Sequence, residues 1–556
     1  MIADIKLSEN FNRVVVKTRY SSVLIDRFRM IPGRQYHEDE RLWSFPAVKD
    51  VLLMVTDACG ILPEMLSAEI KEIMAAGGYT APQQVPVDMS LIEEHAFLTP
   101  PFEHQRVNLA RLIQFDRWLI ADEQGAGKTF VAANRIFRLL LENWDRKILI
   151  LCPKSVVGVW KEQLMIHAGL PCDIVDGTPI RQRQILGGGC KIKVANYEKL
   201  LHSLDDFMKV QFDAIIGDEI HRCKNFTAQT SKAFRKLSSQ AAWCWGLSGT
   251  PAPNSLEDWL GVLEAISPGI LPCKGARGEA TKTEFQARYC LKEQLGGGGP
   301  FVVTGYRNVA ELHTYVASIT SRYTKAECLD LPPKVFSSRL VKLEGEQGRV
   351  YKQLKKDAVA RIKGLKAEGI LTVRNILTES LRLLQVVGGF VPTDDGVVQE
   401  LPEKAKWGAL QEVLEEIGDK QVVVWCQFRP EVDWLATKLG EYGAVVTLTG
   451  GTRSAARAAV VKRFQDGDAR FFIGTTAAGG TGITLHASDT EIYYSRDYNL
   501  GSFLQSQDRI HRIGQKRSVS VINLIAAGTV DVSVDAKLDA KEDMMNMLLQ
   551  SPEEYL

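Results

Sequence analysis

Residues 118–130 read Trp118-Leu119-Ile120-Ala121-Asp122-Glu123-Gln124-Gly125-Ala126-Gly127-Lys128-Thr129-Phe130. An apolar strand enters a glycine-bearing turn, and the turn opens a helix that runs to about Leu141. Strand, loop and helix in that order are the repeating unit of a parallel sheet with helical crossovers. The turn also has a chemical reading. Unpaired backbone N–H groups and the positive end of a helix dipole attract an anion, and glycines let the backbone approach it. Lys128 can reach the β and γ oxygens of a bound nucleotide, and Thr129 can ligate magnesium. The strict phosphate-loop pattern has glycine where Asp122 stands, so the simple pattern breaks at one position.

Outward from this turn the same alternation repeats. Apolar runs at 118–121, 147–152, 192–195, 214–218 and 244–248 predict one parallel sheet. Runs at 422–425, 444–448, 471–474, 491–494 and 519–524 predict a second. Helical patterning dominates 255–400, and no repeat of 20–50 residues is present. The fold class is α/β: two doubly wound parallel-sheet lobes with helical insertions, preceded by a small α+β N-terminal domain. The expected divisions are a front domain at 1–75, a linker at 76–97 and lobe one at 98–265. Helical insertions and an inter-lobe linker follow at 266–400, then lobe two with a C-terminal helix at 401–556.

The 214–218 run ends in paired carboxylates, Asp218-Glu219. Hydrolysis of a phosphoanhydride needs one acid near magnesium and another to polarise the attacking water. Adjacent acids at a strand end can divide those roles. The developing charge on the γ-phosphate also needs cations, and Arg509 and Arg512 stand three residues apart, on one face if that segment is helical.

Composition narrows the remaining classes. A chain of 556 residues, at about 150 per domain, predicts three to four units. With 68 basic and 67 acidic residues the net charge is +1, so any nucleic acid must be held by a local patch. No run approaches the roughly 18 apolar residues of a membrane span, the opening MIADIKLSEN lacks a signal-peptide layout, and no membrane partner is expected. Ten cysteines without a CxxC pair argue for reduced thiols.

The ordered set of motifs resembles the Swi/Snf family of superfamily-two helicase-like ATPases over roughly residues 98–540. Asp122-Glu123-Gln124-Gly125-Ala126-Gly127-Lys128-Thr129 is similar to the family's D-E-x-G-x-G-K-T element. Leu151-Cys152-Pro153-Lys154 with Trp160, the DEAH-like Asp218-Glu219-Ile220-His221 with Lys224-Asn225, and Ser248-Gly249-Thr250-Pro251 follow in family order. Phe428, then 478–483 and His511-Arg512-Ile513-Gly514-Gln515 complete the series. The resemblance implies two RecA-like lobes using ATP and Mg2+. It implies that Gln105 reads adenine, and that Asp122, Gly125, Gly127, Lys128 and Thr129 form the phosphate and magnesium cradle. Asp218 would hold the metal, Glu219 would orient water, and Gln505, Arg509 and Arg512 would reach across from lobe two. Gln124, Ala126, Thr484, Tyr498 and Leu500 depart from the usual residues, which bears on DNA coupling more than on hydrolysis.

Residues 11–46 interleave seven basic residues with six aromatics. Such a segment can meet phosphates and stack on bases, or the rings can simply form a core. Ile31-Pro32-Gly33-Arg34-Gln35-Tyr36 and Leu42-Trp43-Ser44-Phe45-Pro46 are similar to the HepA-related (HARP) domain of annealing helicases. That implies branched or forked DNA as a partner, read by Arg34 and Trp43. Lys224, and Lys356 and Lys363 on a predicted amphipathic helix at 352–366, are further candidate DNA contacts, although a solvated helix face explains the lysines as well. The expectation is a DNA-dependent ATPase translocating on double-stranded or branched DNA, with fork remodelling or annealing as output. A strand-separating DNA or RNA helicase and an ATP-switched DNA-binding scaffold remain open. A bacterial cytoplasm or nucleoid, or a viral source, is expected, and a nuclear location if the source is eukaryotic.

Overall fold

The computed structural model describes residues 4–7, 13–17, 28, 35–37, 42–46, 55, 86–92, 95–275, 278–294, 301–367, 373–392, 398–479, 483–512 and 514–549. The chain divides into two compact units. In the front unit, β1 (Asp4–Leu7), β2 (Arg13–Lys17), β3 (Gln35–His37) and β4 (Leu42–Pro46) form an antiparallel sheet in the order β1-β2-β4-β3. Val16, Phe28 and Phe45 are fully buried. Two of the front aromatics are therefore core, as a small sheet requires an apolar face. Trp43 packs 5.7 Å from Phe28 and 6.5 Å from Phe45 yet stays partly exposed. Arg34 lies outside the described residues.

The other unit holds both parallel sheets. The first comprises β5 (Arg117–Ile120), β6 (Ile148–Cys152), β7 (Asp173–Ile174), β8 (Ile192–Asn196), β9 (Ala214–Asp218) and β10 (Trp243–Leu247). After a small two-stranded sheet, β11 (Cys290–Gln294) and β12 (Phe301–Tyr306), the chain returns with β13 (Thr320–Ser321) to give the order β13-β5-β10-β9-β6-β8-β7. The second sheet begins with β14 (Lys334–Val341). An antiparallel ribbon, β15 (Phe390–Pro392) and β16 (Val398–Glu400), precedes its remaining strands. These are β17 (Val422–Cys426), β18 (Val445–Leu448), β19 (Phe471–Thr475), β20 (Thr490–Tyr493) and β21 (Val519–Ala526), in the order β14-β21-β20-β17-β19-β18.

All pairings within these two sheets are parallel. Buried on both faces, central strands of such sheets read as unbroken apolar runs, which is why ILILC and VVVWC are legible in the sequence. In lobe two Val423 and Trp425 enter one core with Phe472 and Tyr493, while Val422 and Val424 enter the opposite core with Ile473 and Ile492. Side chains alternate across a strand, so one run feeds both cores.

The 266–400 stretch differs from its helical expectation. It supplies β13 to the first sheet and β14 to the second. In Lys334–Val341 the apolar run is broken by Ser337, Ser338 and Arg339, so register with β21, not local pattern, makes the strand. The chain thus weaves through both sheets before it completes the second.

Lobe two also buries an acid. Glu431, fully buried, accepts from the Gln427 and Phe428 backbone N–H groups at 3.2 and 3.0 Å and from the Ser495 hydroxyl. Burial pushes its carboxyl up to about 7. Between about pH 4 and 7 the folded chain therefore holds a proton that the unfolded chain has released, so this group's contribution to stability falls as pH rises through that window. Glu431→Gln removes the titration. Thermal unfolding should show the variant gaining on the parent by on the order of 2 kcal/mol between pH 5 and pH 8; a pH-independent difference would refute it.

Candidate functional site

The site is built where three adjacent strands end. Leu247 is level with Ile120 on one side and with Asp218 on the other. One residue further on, the phosphate loop, Ser248 and Glu219 emerge side by side at the C-terminal edge of the sheet. Ligands of open α/β sheets bind at that edge.

Gly125 and Gly127 both have φ +85°, a conformation that glycine adopts cheaply. They turn the chain so that helix Lys128–Glu142 starts directly behind the loop. Lys128 Nζ donates to the Asp122 and Glu123 carbonyls at 2.7 and 3.0 Å, closing the loop on itself. Burial lowers the Lys128 pKa, opposed by Glu219, Asp122, Asp508 and Asp218. Thr129, the next residue, is partly exposed.

Asp122 departs from its expected place in the cradle. Its side chain is 1% exposed and accepts from Asn108 Nδ2 at 2.7 Å and from the Tyr323 N–H at 3.0 Å. Burial pushes it up to about 7. Through these two bonds Asp122 fastens the loop to its neighbours. Gln105 is likewise held locally: its Nε2 donates to Ala126 O at 3.1 Å and its Oε1 accepts from the Phe102 N–H at 3.0 Å.

Asp218 is oriented from two sides. Trp160 Nε1 donates to Oδ2 at 2.8 Å and the Glu219 N–H donates to Oδ1 at 3.0 Å. Burial and the adjacent Glu219 push Asp218 up to about 7. Glu219 sits in the left-handed region at φ 50°, ψ 52°, a strained conformation for a non-glycine residue. Its own burial would raise its pKa, but His221, Lys128 and Arg509 together hold it below the ordinary value. Burial and the neighbouring charge thus push one acid up, while the surrounding cations hold the other down. His221 Nδ1 lies 3.2 Å from Glu219 Oε2 and 3.0 Å from Ser248 Oγ, linking the acid to the Ser248-Gly249-Thr250 loop.

Lobe two meets this edge through helix Leu500–Gln507 and the turns after it. A methyl group on Gly501 would lie 3.6 Å from Thr250 Oγ1 and from Pro253 Cβ. The helix ends at Gln507, so Arg509 and Arg512 are carried by turns and do not share a helical face. Arg509 Nε donates to Gln505 O at 3.0 Å, and its charge and that of Glu219 act on each other. Arg512 instead donates to Thr484 Oγ1 at 2.6 Å within lobe two. Gln505 is partly exposed, one turn before Arg509.

Three of the candidate DNA contacts, Lys224, Lys356 and Lys363, lie among the described residues of the second unit. Lys224 is partly buried; burial lowers its pKa and Asp258 opposes this. Lys356 and Lys363 are exposed on helix Gly345–Ala367, which buries Tyr351 and Ala358. Trp160, Tyr197 (whose hydroxyl donates to Asp218 O at 2.8 Å), Asn108 and Arg322 are site residues the sequence reading assigned no such part. Their partners lie 14 to 201 residues away in sequence, and the packing of helices on the ordered strands brings them together. Among the described residues no helix is long and apolar enough to cross a membrane.

Two parallel-sheet lobes and a glycine loop facing paired acids define a two-lobed phosphate-loop protein. The SNF2-related domain matches residues 102–387 and the helicase conserved C-terminal domain residues 405–514. The chain belongs to the SNF2-related family of helicase-like ATPases. It is 28% identical over 78% of its length to a mouse chromodomain-helicase-DNA-binding protein 1-like, spanning 48% of that protein. A Caenorhabditis elegans homolog of SWI/SNF-related matrix-associated actin-dependent regulator of chromatin subfamily A-like protein 1 is 25% identical over 96% of this chain, which spans 74% of it. Among solved structures, the Sulfolobus solfataricus SWI2/SNF2 ATPase core in complex with dsDNA is 22% identical, with a TM-score of 0.39 over 86% of this chain and 98% of that one.

Proposed function

We propose that the chain is a DNA-dependent ATPase that couples ATP hydrolysis to movement on double-stranded or branched DNA. The observation that carries this is the convergence of Lys128, Glu219 and Ser248 at one sheet edge, with Arg509 of lobe two acting electrostatically on Glu219. The loop N–H groups and Lys128 bind the triphosphate, Glu219 orients the water, and Arg509 stabilises charge developing on the γ-phosphate. Thr129 and Asp218 would hold Mg2+. Hydroxyl and carboxylate oxygens suit this hard ion, which completes its shell with water and phosphate, and Asp218 keeps acceptor capacity beyond its two hydrogen bonds. When bound, the ion neutralises phosphate charge. Gln105, beside the loop, is positioned to reach adenine once its local bonds are exchanged.

Fork remodelling or strand annealing is the proposed output. Its support is the HARP-like front segment, together with an alignment to the nematode relative that runs through nearly the whole chain. Arg34, Trp43, Lys224, Lys356 and Lys363 are the proposed DNA contacts. ATP turnover measured with single-stranded, duplex and forked DNA and with RNA tests the reading. Duplex and forked DNA should stimulate most, with log affinity falling linearly against log salt. Stimulation by RNA alone would favour a strand-separating RNA helicase, and DNA binding without turnover an ATP-switched scaffold.

A further inference from the structure

The chain returning from lobe one brings a lysine to the phosphate loop that the site described above does not use. Ser321 and Tyr323 extend the pairing beside β5: their carbonyls accept from the Ala121 and Glu123 N–H groups at 2.7 and 2.9 Å. Arg322 donates to Ala121 O at 3.1 Å. The Thr324 hydroxyl and the Glu327 carboxylate form a capping box that fixes the next turn. Its first residue is Lys325, whose N–H donates to Glu123 Oε2 at 3.1 Å. The side chain then lies over the loop: a methyl group on Gly125 would meet Lys325 Cε at 3.4 Å and Nζ at 3.7 Å.

Lys325 is only 3% exposed, and its ammonium donates to the Asp508 carboxylate and the His511 carbonyl of lobe two. Asp508 stands among the cations of the cleft. Besides pairing with Lys325, its charge acts on Lys128, Arg509 and Arg512. Asp508 thus acts on four cations, two of which, Lys128 and Arg509, already have proposed parts in holding or stabilising a triphosphate. Lysine is a compact point charge able to change partners by rotating its stem. A triphosphate carries more negative charge than one carboxylate and presents it on the same loop.

We infer that Lys325 is a further ligand of the nucleotide's phosphates, and that Asp508 is the internal anion with which the triphosphate competes for it. The inference rests on the reading of this cleft as an ATP site. It separates Lys325 from a residue that merely joins the lobes. A structural tie would make loss of either partner act alike, whereas competition makes the two losses act in opposite directions.

The experiment is equilibrium binding of a fluorescent, non-hydrolysable ATP analogue to the full chain, with the diphosphate analogue alongside. Lys325→Ala should weaken triphosphate binding by about tenfold, and Asp508→Asn, nearly isosteric, should tighten it by a similar factor, each the worth of about one charge-assisted contact. Lys325→Arg keeps the charge and should retain most of the affinity. Thermal unfolding establishes that each variant is folded, and should Lys325→Ala fail to fold, the sign of the Asp508→Asn effect alone decides. Weaker binding in both variants, or no change in either, overturns the inference. Lys128→Ala in the same assay separates the two levels. If it too leaves binding unchanged, the ATP-site reading itself has failed; if it abolishes binding while Lys325 and Asp508 are silent, only the role of Lys325 has.

Discussion

Replacing Glu219 by Gln is expected to lower ATP turnover by at least about 100-fold, the usual worth of a positioned general base or water-orienting carboxylate. The substitution keeps size and hydrogen-bonding shape but removes the charge that His221, Lys128 and Arg509 keep ionised. Nucleotide binding should persist, because the loop N–H groups and Lys128 are untouched. Steady-state turnover beside equilibrium binding separates the two effects. Normal turnover in Glu219→Gln would remove Glu219 from the mechanism. Loss of binding and turnover together would instead mean that the strained turn at φ 50° tolerates no change.

Arg509→Ala is expected to cost about 1,000-fold in turnover, within the range for a cationic finger on a γ-phosphate. Arg512→Ala should cost less. Both residues lie in turns beyond the helix, but only Arg509 interacts with Glu219, whereas Arg512 is bonded to Thr484 inside lobe two. Lysine at 509 should recover little, since a point charge does not reproduce the planar fork of arginine. Equal losses at 509 and 512 would show that the cleft rearranges so that both arginines reach the nucleotide. Normal hydrolysis in both variants would end the proposal of a finger from lobe two.

Much of this site is visible in the sequence, for a physical reason. A parallel strand buried on both faces must be apolar throughout, so 148–152, 214–218 and 422–426 announce themselves, and the loop after 117–120 is marked by its glycines and lysine. The acids at 218–219 are legible because they end such a run. What is not legible depends on register. Two-residue β13 carries no pattern of its own, and β14 alternates weakly on an edge, yet their pairing with β5 and β21 decides where Lys325 lies. Asp122 misleads for a related reason. Its place in the motif points to phosphate, but helix Glu103–Gln114 brings Asn108, and the chain running on from β13 brings the Tyr323 N–H, against it. The turns after Gln507 cannot be anticipated from the spacing of Arg509 and Arg512, which suits a helix equally well.

The weave of β13 into one sheet and β14 into the other has a further result. Only residues 322–333 separate the last residue of β13 from the first of β14. Fully extended, such a stretch spans at most about 45 Å. In the proposed ATPase cycle, halves that part at the cleft would remain tethered at a local concentration on the order of millimolar. Closure is then a first-order event whose rate is independent of protein concentration. The cleft contacts need only bias a tethered equilibrium, so weak pairs suffice to set the share of the closed form.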